Sequence, residues 1–233
     1  MVAKGVWNRD REAAMDIFSK EFHHASLADF VRAMFRFSPR GSKIRPVDRE
    51  LEASGETISQ FLQGPNQFAQ LLRGFFEQQS LLFGAYLKNT MRDAPTALLI
   101  DTGWQGRAQA LLSRAFPEID WWGGYFGRSG FANSDRAHWP QMIGLAFESD
   151  RYDPARPETC IVLNRHLIEN LFEPRGHSIE WLAEPQPGVV IAPDAEAILA
   201  DAPTPDTDPI FAGVMAYLEE LDHANRPAEL RKR

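Results

Sequence analysis

Residues 97–109, Ala-Leu-Leu-Ile-Asp-Thr-Gly-Trp-Gln-Gly-Arg-Ala-Gln, constrain the fold more than any other stretch of the chain. Four apolar residues, Ala97 to Ile100, predict a short buried strand that ends at Asp101. Gly103 and Gly106 bracket a tight turn. Arg107 to Phe116 then predicts a helix with Ala108, Leu111, Leu112 and Ala115 on its apolar side. In an open α/β sheet, ligands gather where the carboxyl end of a strand leads into a helix. The helix start offers unpaired N–H groups and a partial positive charge, which suits an anion, and glycines let the backbone come close to it.

The rest of the chain frames this segment. Residues 9–37 carry helical spacing in Ala13, Ala14, Ile17, Phe18 and Phe22, and again in Leu27, Phe30, Val31, Met34 and Phe35. Ser26, with Asp29 three residues on, resembles a weakened capping box. Residues 39–56 are polar and predict a loop or short helix. Residues 57–89 are helical in pattern, with a break at Gly64-Pro65. From Pro95 to about 193 short apolar runs alternate with loops, with strands expected at 97–100, 122–127, 142–147, 159–163 and 189–191 and a helix at 164–172. Residues 201–209 read as a linker, followed by a helix over 209–224.

The expected fold is α/β: a parallel or mixed sheet flanked by helices, with a helical N-terminal part. The expected regions are 1–92 (helical), 93–200 (α/β) and 201–233 (linker and a helix packing on the α/β part).

Composition narrows the function classes. A net charge of −7 over 233 residues argues against a nucleic-acid partner and against docking on an anionic membrane. No stretch approaches the roughly 20 apolar residues that cross a bilayer, and the start of the chain has no apolar signal core, so a cytoplasmic location is expected. Cys160 is the only cysteine and reads as a buried strand residue. Walker A, His-Glu-x-x-His, Cys-x-x-Cys and Gly-x-Ser-x-Gly signatures do not occur. His23-His24 has no carboxylate or cysteine beside it in the sequence, and no metal site is assigned.

Three segments supply the candidate site. Asp101 suits a metal, a ligand hydroxyl or general-base work, and equally a brace for the glycine turn or a helix cap. Thr102, Gly103, Trp104, Gly106, Arg107 and Gln109 are candidate ligand contacts, with Arg107 able to grip a phosphate or simply face solvent. The second segment, Ile119 to Gly130, predicts the next parallel strand, with Arg128 beside the same crevice as an anion contact. Trp121, Trp122 and Tyr125 in it read as packing. The third, Asn164 to Ser178, offers Glu169, one turn from Arg165, and then His177 and Ser178 beyond Pro174 and Gly176. His177 suits an acid, base or ligand role, or ordinary turn chemistry. The catalytic candidates are therefore Asp101, Glu169 and His177, and Ser178 joins the ligand contacts. No cofactor is specified, although Mg²⁺ is compatible with Asp101.

Three blocks together resemble the region downstream of the phosphatase core in haloacid-dehalogenase-superfamily hydrolases linked to bacterial surface-polysaccharide synthesis. They are the segment from Leu82 through Leu-Leu-Ile-Asp-Thr-Gly-Trp-Gln-Gly-Arg-Ala-Gln-Ala-Leu-Leu, then Gly-Gly-Tyr-Phe-Gly at 123–127, then Ile-Glu-Asn-Leu-Phe-Glu-Pro-Arg-Gly-His-Ser at 168–178. The resemblance covers roughly residues 75–195. The superfamily's Asp-x-Asp nucleophile loop is not here: position 103 is Gly103, and Asp206 and Asp208 lie in a proline-rich stretch after no apolar strand. The chain thus resembles the companion region without the hydrolase core. Two functions follow as expectations. One is an α/β domain that binds a phosphorylated small molecule, a sugar phosphate or nucleotide-sugar, with transferase or hydrolase activity in polysaccharide synthesis. The other is a non-catalytic accessory domain that partners a companion hydrolase or glycosyltransferase domain.

Overall fold

A computed structural model describes residues 1–34, 51–92, 94–129, 136–148, 179–200 and 204–223, with single positions at 153, 155, 166, 171 and 202. The fold is α/β, with a helical N-terminal region. The elements run α1 (Val2–Gly5), α2 (Arg11–Glu21), α3 (Leu27–Met34), α4 (Gly55–Gln63), α5 (Gln67–Met91), β1 (Thr96–Asp101), α6 (Arg107–Ala115) and β2 (Asp120–Arg128). A 3₁₀ turn (Trp139–Gln141) leads into β3 (Met142–Glu148), followed by β4 (Ala183–Gln186), β5 (Val189–Ile191), α7 (Ala195–Ala200) and α8 (Pro209–His223). Strands β1, β2 and β3 form one parallel sheet in that order, and β4 and β5 form a small antiparallel pair. Among the described residues no helix is long and apolar enough to cross a membrane. The strand expected at 159–163, with Cys160, lies outside the described residues, as does the helix expected at 164–172 apart from His166 and Leu171.

The chain divides into two compact units, each built from separated stretches. The first holds residues 1–98, 107–122 and 181–192. Its core is aromatic: Phe76 stacks on Phe18 with centroids 5.1 Å apart, and Trp7 lies 4.9 Å from Phe76. Phe30 meets Phe18 edge-on at 5.8 Å, and Ile58 and Leu72 are buried with them. The helices are cut to length by local chemistry. Asp10 accepts from the Ala13 N–H and caps α2, Ser54 accepts from Thr57 and caps α4, and Asn66 accepts from Phe68 at the start of α5. Ser26 accepts from the Asp29 N–H, while the Asp29 carboxylate takes the Ser26 hydroxyl. That hydroxyl, above all, holds the Asp29 carboxyl below its usual range. The weakened capping box expected from the sequence is therefore half formed, with the Asp29 carboxylate on the Ser26 hydroxyl and not on its N–H.

Arg9 joins the chain start to the end of α6. Its guanidinium donates to the Ala115 carbonyl and to Glu118, and lies over the Phe116 ring. A cation there also complements the negative end of the helix. Gln79, in mid-α5, is buried at 1% exposure. Its amide donates to the Leu182 carbonyl at 3.0 Å and accepts from the Leu182 N–H at 2.7 Å. A side-chain amide thus supplies the two bonds that a neighbouring strand would supply, just before β4 begins. Gly188, at φ +80°, makes the β4–β5 turn.

The second unit holds residues 99–106, 123–180 and 193–233. Strand β2 pairs with β3 in parallel from Gly123↔Met142 to Arg128↔Glu148, with a shift between Tyr125 and Gly127. Between those pairs one residue of β2, Phe126, faces two of β3, Leu145 and Ala146. Gly144 sits in the shift because a Cβ would run into the Phe147 carbonyl.

The expectation of a fully buried first strand is corrected. Strand β1 alternates, and Ile100 is 71% exposed. One face of its sheet carries exposed apolar side chains at β1 and β3, so burial on that strand is one-sided.

Removing the Gln79 amide should leave both main-chain groups of Leu182 buried without partners. Gln79→Ala is expected to lower stability by about 2–4 kcal/mol. Urea unfolding followed by circular dichroism measures it.

Candidate functional site

The turn after β1 sets one buried side chain, Trp104, among partly exposed neighbours. Asp101, exposed at the strand end, accepts the Gly103 N–H on Oδ1 at 2.7 Å. Among the described residues its second carboxylate oxygen has no partner. The turn-brace role set beside the functional one is therefore occupied by one oxygen of the two. Gly103 fits because a Cβ there would lie 3.0 Å from that same Oδ1.

Trp104, expected as a ligand contact, is buried among aromatic rings. Its ring lies 5.5 Å from Phe126 and 6.3 Å from Phe147, and its carbonyl accepts the Ser129 N–H at 2.8 Å. Gly127 makes room for it, since a Cβ at 127 would strike the Trp104 ring. The next carbonyl, Gln105, is held by His138 Nε2 at 2.8 Å. A carbonyl only accepts, so this nitrogen carries the proton. His138 is buried, and its Nδ1 has no hydrogen-bond partner among the described residues. Gly106 takes φ +61°, and a Cβ there would lie 3.0 Å from His138 and from the Met142 sulfur. Glycine is favoured at 106 on both counts.

Arg128, expected as an anion contact, is engaged within the protein. Its Nε pairs with Glu148, and its Nη1 donates to the carbonyls of Trp139 and Met142. The other Glu148 oxygen accepts the Gly144 N–H at 2.8 Å. The guanidinium's charge is matched and three of its bonds go to protein, so its chemistry is used to join β2, the 3₁₀ turn and β3.

In the first unit Gln109 is wholly buried and donates to the Trp121 carbonyl at 2.9 Å. Trp121 is buried as expected and donates from Nε1 to the Phe116 carbonyl. Arg107 is exposed at the first position of α6, and Thr102 is partly exposed beside Asp101. Glu169, His177 and Ser178 lie outside the described residues.

Tyr125 is the residue that sequence reasoning assigned to packing and that the structure makes more interesting. It is 0% exposed, and its hydroxyl has no hydrogen-bond partner among the described residues. Burial pushes its ionisation well above the ordinary tyrosine value, and the charge of Asp101 adds to the shift. The phenol therefore stays protonated and can only donate its proton or accept into its lone pairs. His138 was also missed. It stands alone in Ala-His-Trp-Pro, and nothing nearby in sequence signals that it holds the Gln105 carbonyl.

Comparison with family models, with curated proteins and with solved structures finds no match for this chain.

Two outcomes test this geometry. Glu148→Ala leaves the mostly buried Arg128 charge unmatched and should cost about 3 kcal/mol in denaturant unfolding. Tyr125→Phe removes a hydroxyl that gains nothing in the ligand-free protein. Its expected effect ranges from neutral to about 1 kcal/mol of stabilisation, and a loss above that range would reveal a hydrogen bond to the phenol.

Proposed function

We propose that this chain is a non-catalytic accessory domain that docks a companion enzyme domain of polysaccharide assembly, through one face of its parallel sheet. The observation that carries the reading is the exposed apolar surface on that face. Ile100 of β1 is 71% exposed, and Ile143 and Leu145 of β3 are 50% and 70% exposed. Gly124 pairs with Ile143 between them, and a Cβ on it would lie 3.1 Å from Ile100 Cδ1. Parallel sheets are normally covered on both faces, and a contiguous apolar patch on a water-facing sheet marks a contact surface. The partner class rests on the resemblance to the region that accompanies a haloacid-dehalogenase-like core. The use of Arg128, Gln109 and Trp104 as internal joints supports the non-catalytic half of the reading.

Leu145→Glu places a charge on this face without touching the internal joints. The chain should form a complex with a purified haloacid-dehalogenase-like phosphatase domain or a glycosyltransferase from a polysaccharide-assembly system, seen by light scattering after gel filtration. Leu145→Glu should weaken it at least tenfold, about 1.4 kcal/mol, with an unchanged circular-dichroism spectrum. Failure of the parent chain to associate with either class, or equal binding by the variant, overturns the proposal.

A second reading has its own observation. Asp101 keeps one carboxylate oxygen without a described partner at a strand end, and the buried Tyr125 hydroxyl in the same unit has none either. That pair supports binding of a phosphorylated small molecule, with Mg²⁺ or a sugar hydroxyl on Asp101 and transferase or hydrolase chemistry as its extension. A thermal-shift panel of sugar phosphates and nucleotide-sugars, with and without Mg²⁺, tests it. A ligand at 100 times its Kd stabilises by about 2.7 kcal/mol, and Asp101→Ala should abolish the shift. A flat panel removes this reading.

A further inference from the structure

Helix α2 ends at Glu21, and the chain turns through Phe22, His23 and His24 before α3 begins at Leu27. His24 adopts φ +70°, a left-handed conformation uncommon outside glycine. The two imidazoles lie edge to face, with centroids 3.7 Å apart. The residues directly flanking them, Phe22 and Ala25, offer no third ligand.

The fold supplies one. Ser26 and Glu52 form an antiparallel bridge. It is closed on either side by the Leu27 N–H on the Leu51 carbonyl at 2.7 Å and the Ala53 N–H on the Ala25 carbonyl at 2.9 Å. These main-chain bonds fix the register of residues 51–53 against residues 25–27. That register sets the Glu52 carboxylate beside the histidine pair, with Oε1 3.8 Å from His24 Nδ1. One ligand atom from each of His23, His24 and Glu52 lies within 4.8 Å of the others.

We propose that His23, His24 and Glu52 form a binding site for a divalent transition-metal ion, zinc first among them. Two imidazole nitrogens and one carboxylate oxygen are a borderline donor set that suits zinc and its neighbours, whereas magnesium and calcium select all-oxygen sets. Ligand atoms around a tetrahedral zinc stand about 3.4 Å apart, given bonds of about 2.0–2.2 Å. The three side chains are exposed and need only a small rotation to close from their present spacing. Water completes the coordination. The bound ion would staple the α2–α3 turn to the stretch that enters α4, reinforcing the link made by the short bridge. Because the folded register creates the site, binding would stabilise the folded chain.

The test uses the full chain in metal-free buffer at neutral pH, titrated with zinc chloride by calorimetry. The parent, Glu52→Gln and the double variant His23→Gln/His24→Gln are compared. All three should show the same circular-dichroism spectrum without metal, because the substituted side chains are exposed. The parent should bind one zinc ion at this site, and its Tm should rise with zinc. Glu52→Gln should bind it at least tenfold more weakly, and the double variant should lose both the site and the rise in Tm. Equal zinc binding by the parent and the double variant overturns the proposal, as does no binding by the parent. Undiminished affinity in Glu52→Gln overturns the three-ligand set.

Discussion

The pairing of Arg128 with Glu148 is the interaction on which the second unit depends. An ion pair away from water is worthwhile only if its remaining donors and acceptors are also met. Here they are met by main chain. Arg128 reaches the carbonyls of Trp139 and Met142, which flank the entry to β3, and Glu148 reaches the Gly144 N–H at the register shift. The extra residue of β3 is stabilised by the same pair that ends the strand ladder. A guanidinium suited by type to bind an anion has become a joint.

The turn after β1 inherits its shape from that arrangement. Met142, whose carbonyl Arg128 holds, has its sulfur against Gly106, as does His138, which precedes the 3₁₀ turn. Trp104 is wedged over Gly127, one residue before Arg128. Three separate contacts therefore hold residues 103–105: a carboxylate on the Gly103 N–H, a main-chain bond on the Trp104 carbonyl and an imidazole on the Gln105 carbonyl. A loop held in this way changes little when something binds beside it, which serves docking and ligand capture alike.

Helices were legible wherever apolar residues recurred at helical spacing over two turns or more, as in α2, α3, α5 and α8. Strand β5 matches its expected span, and β2 and β3 extend theirs by one or two residues. Strand β4, Ala-Glu-Pro-Gln, carries no strand signal, because its conformation comes from pairing with β5 and from the clasp just before it. The four-residue α1 is too short to show a period. The site was harder for a different reason. Arg128, Gln109 and Trp104 have the chemistry of ligand contacts and of internal joints equally, and the partners that decide between them lie elsewhere in the chain. The same distance hid Glu52 from the two histidines.

The clasp between Gln79 and Leu182 has an evolutionary consequence. Both of its bonds end on main-chain atoms at 182, so any side chain that fits the space there preserves them, while position 79 must keep an amide of the right reach. Sequence drift around the small hairpin is thereby uncoupled from its attachment. Among divergent copies of this chain, position 182 is therefore free to change to any side chain that fits its buried space, as long as a single glutamine on a distant helix does not.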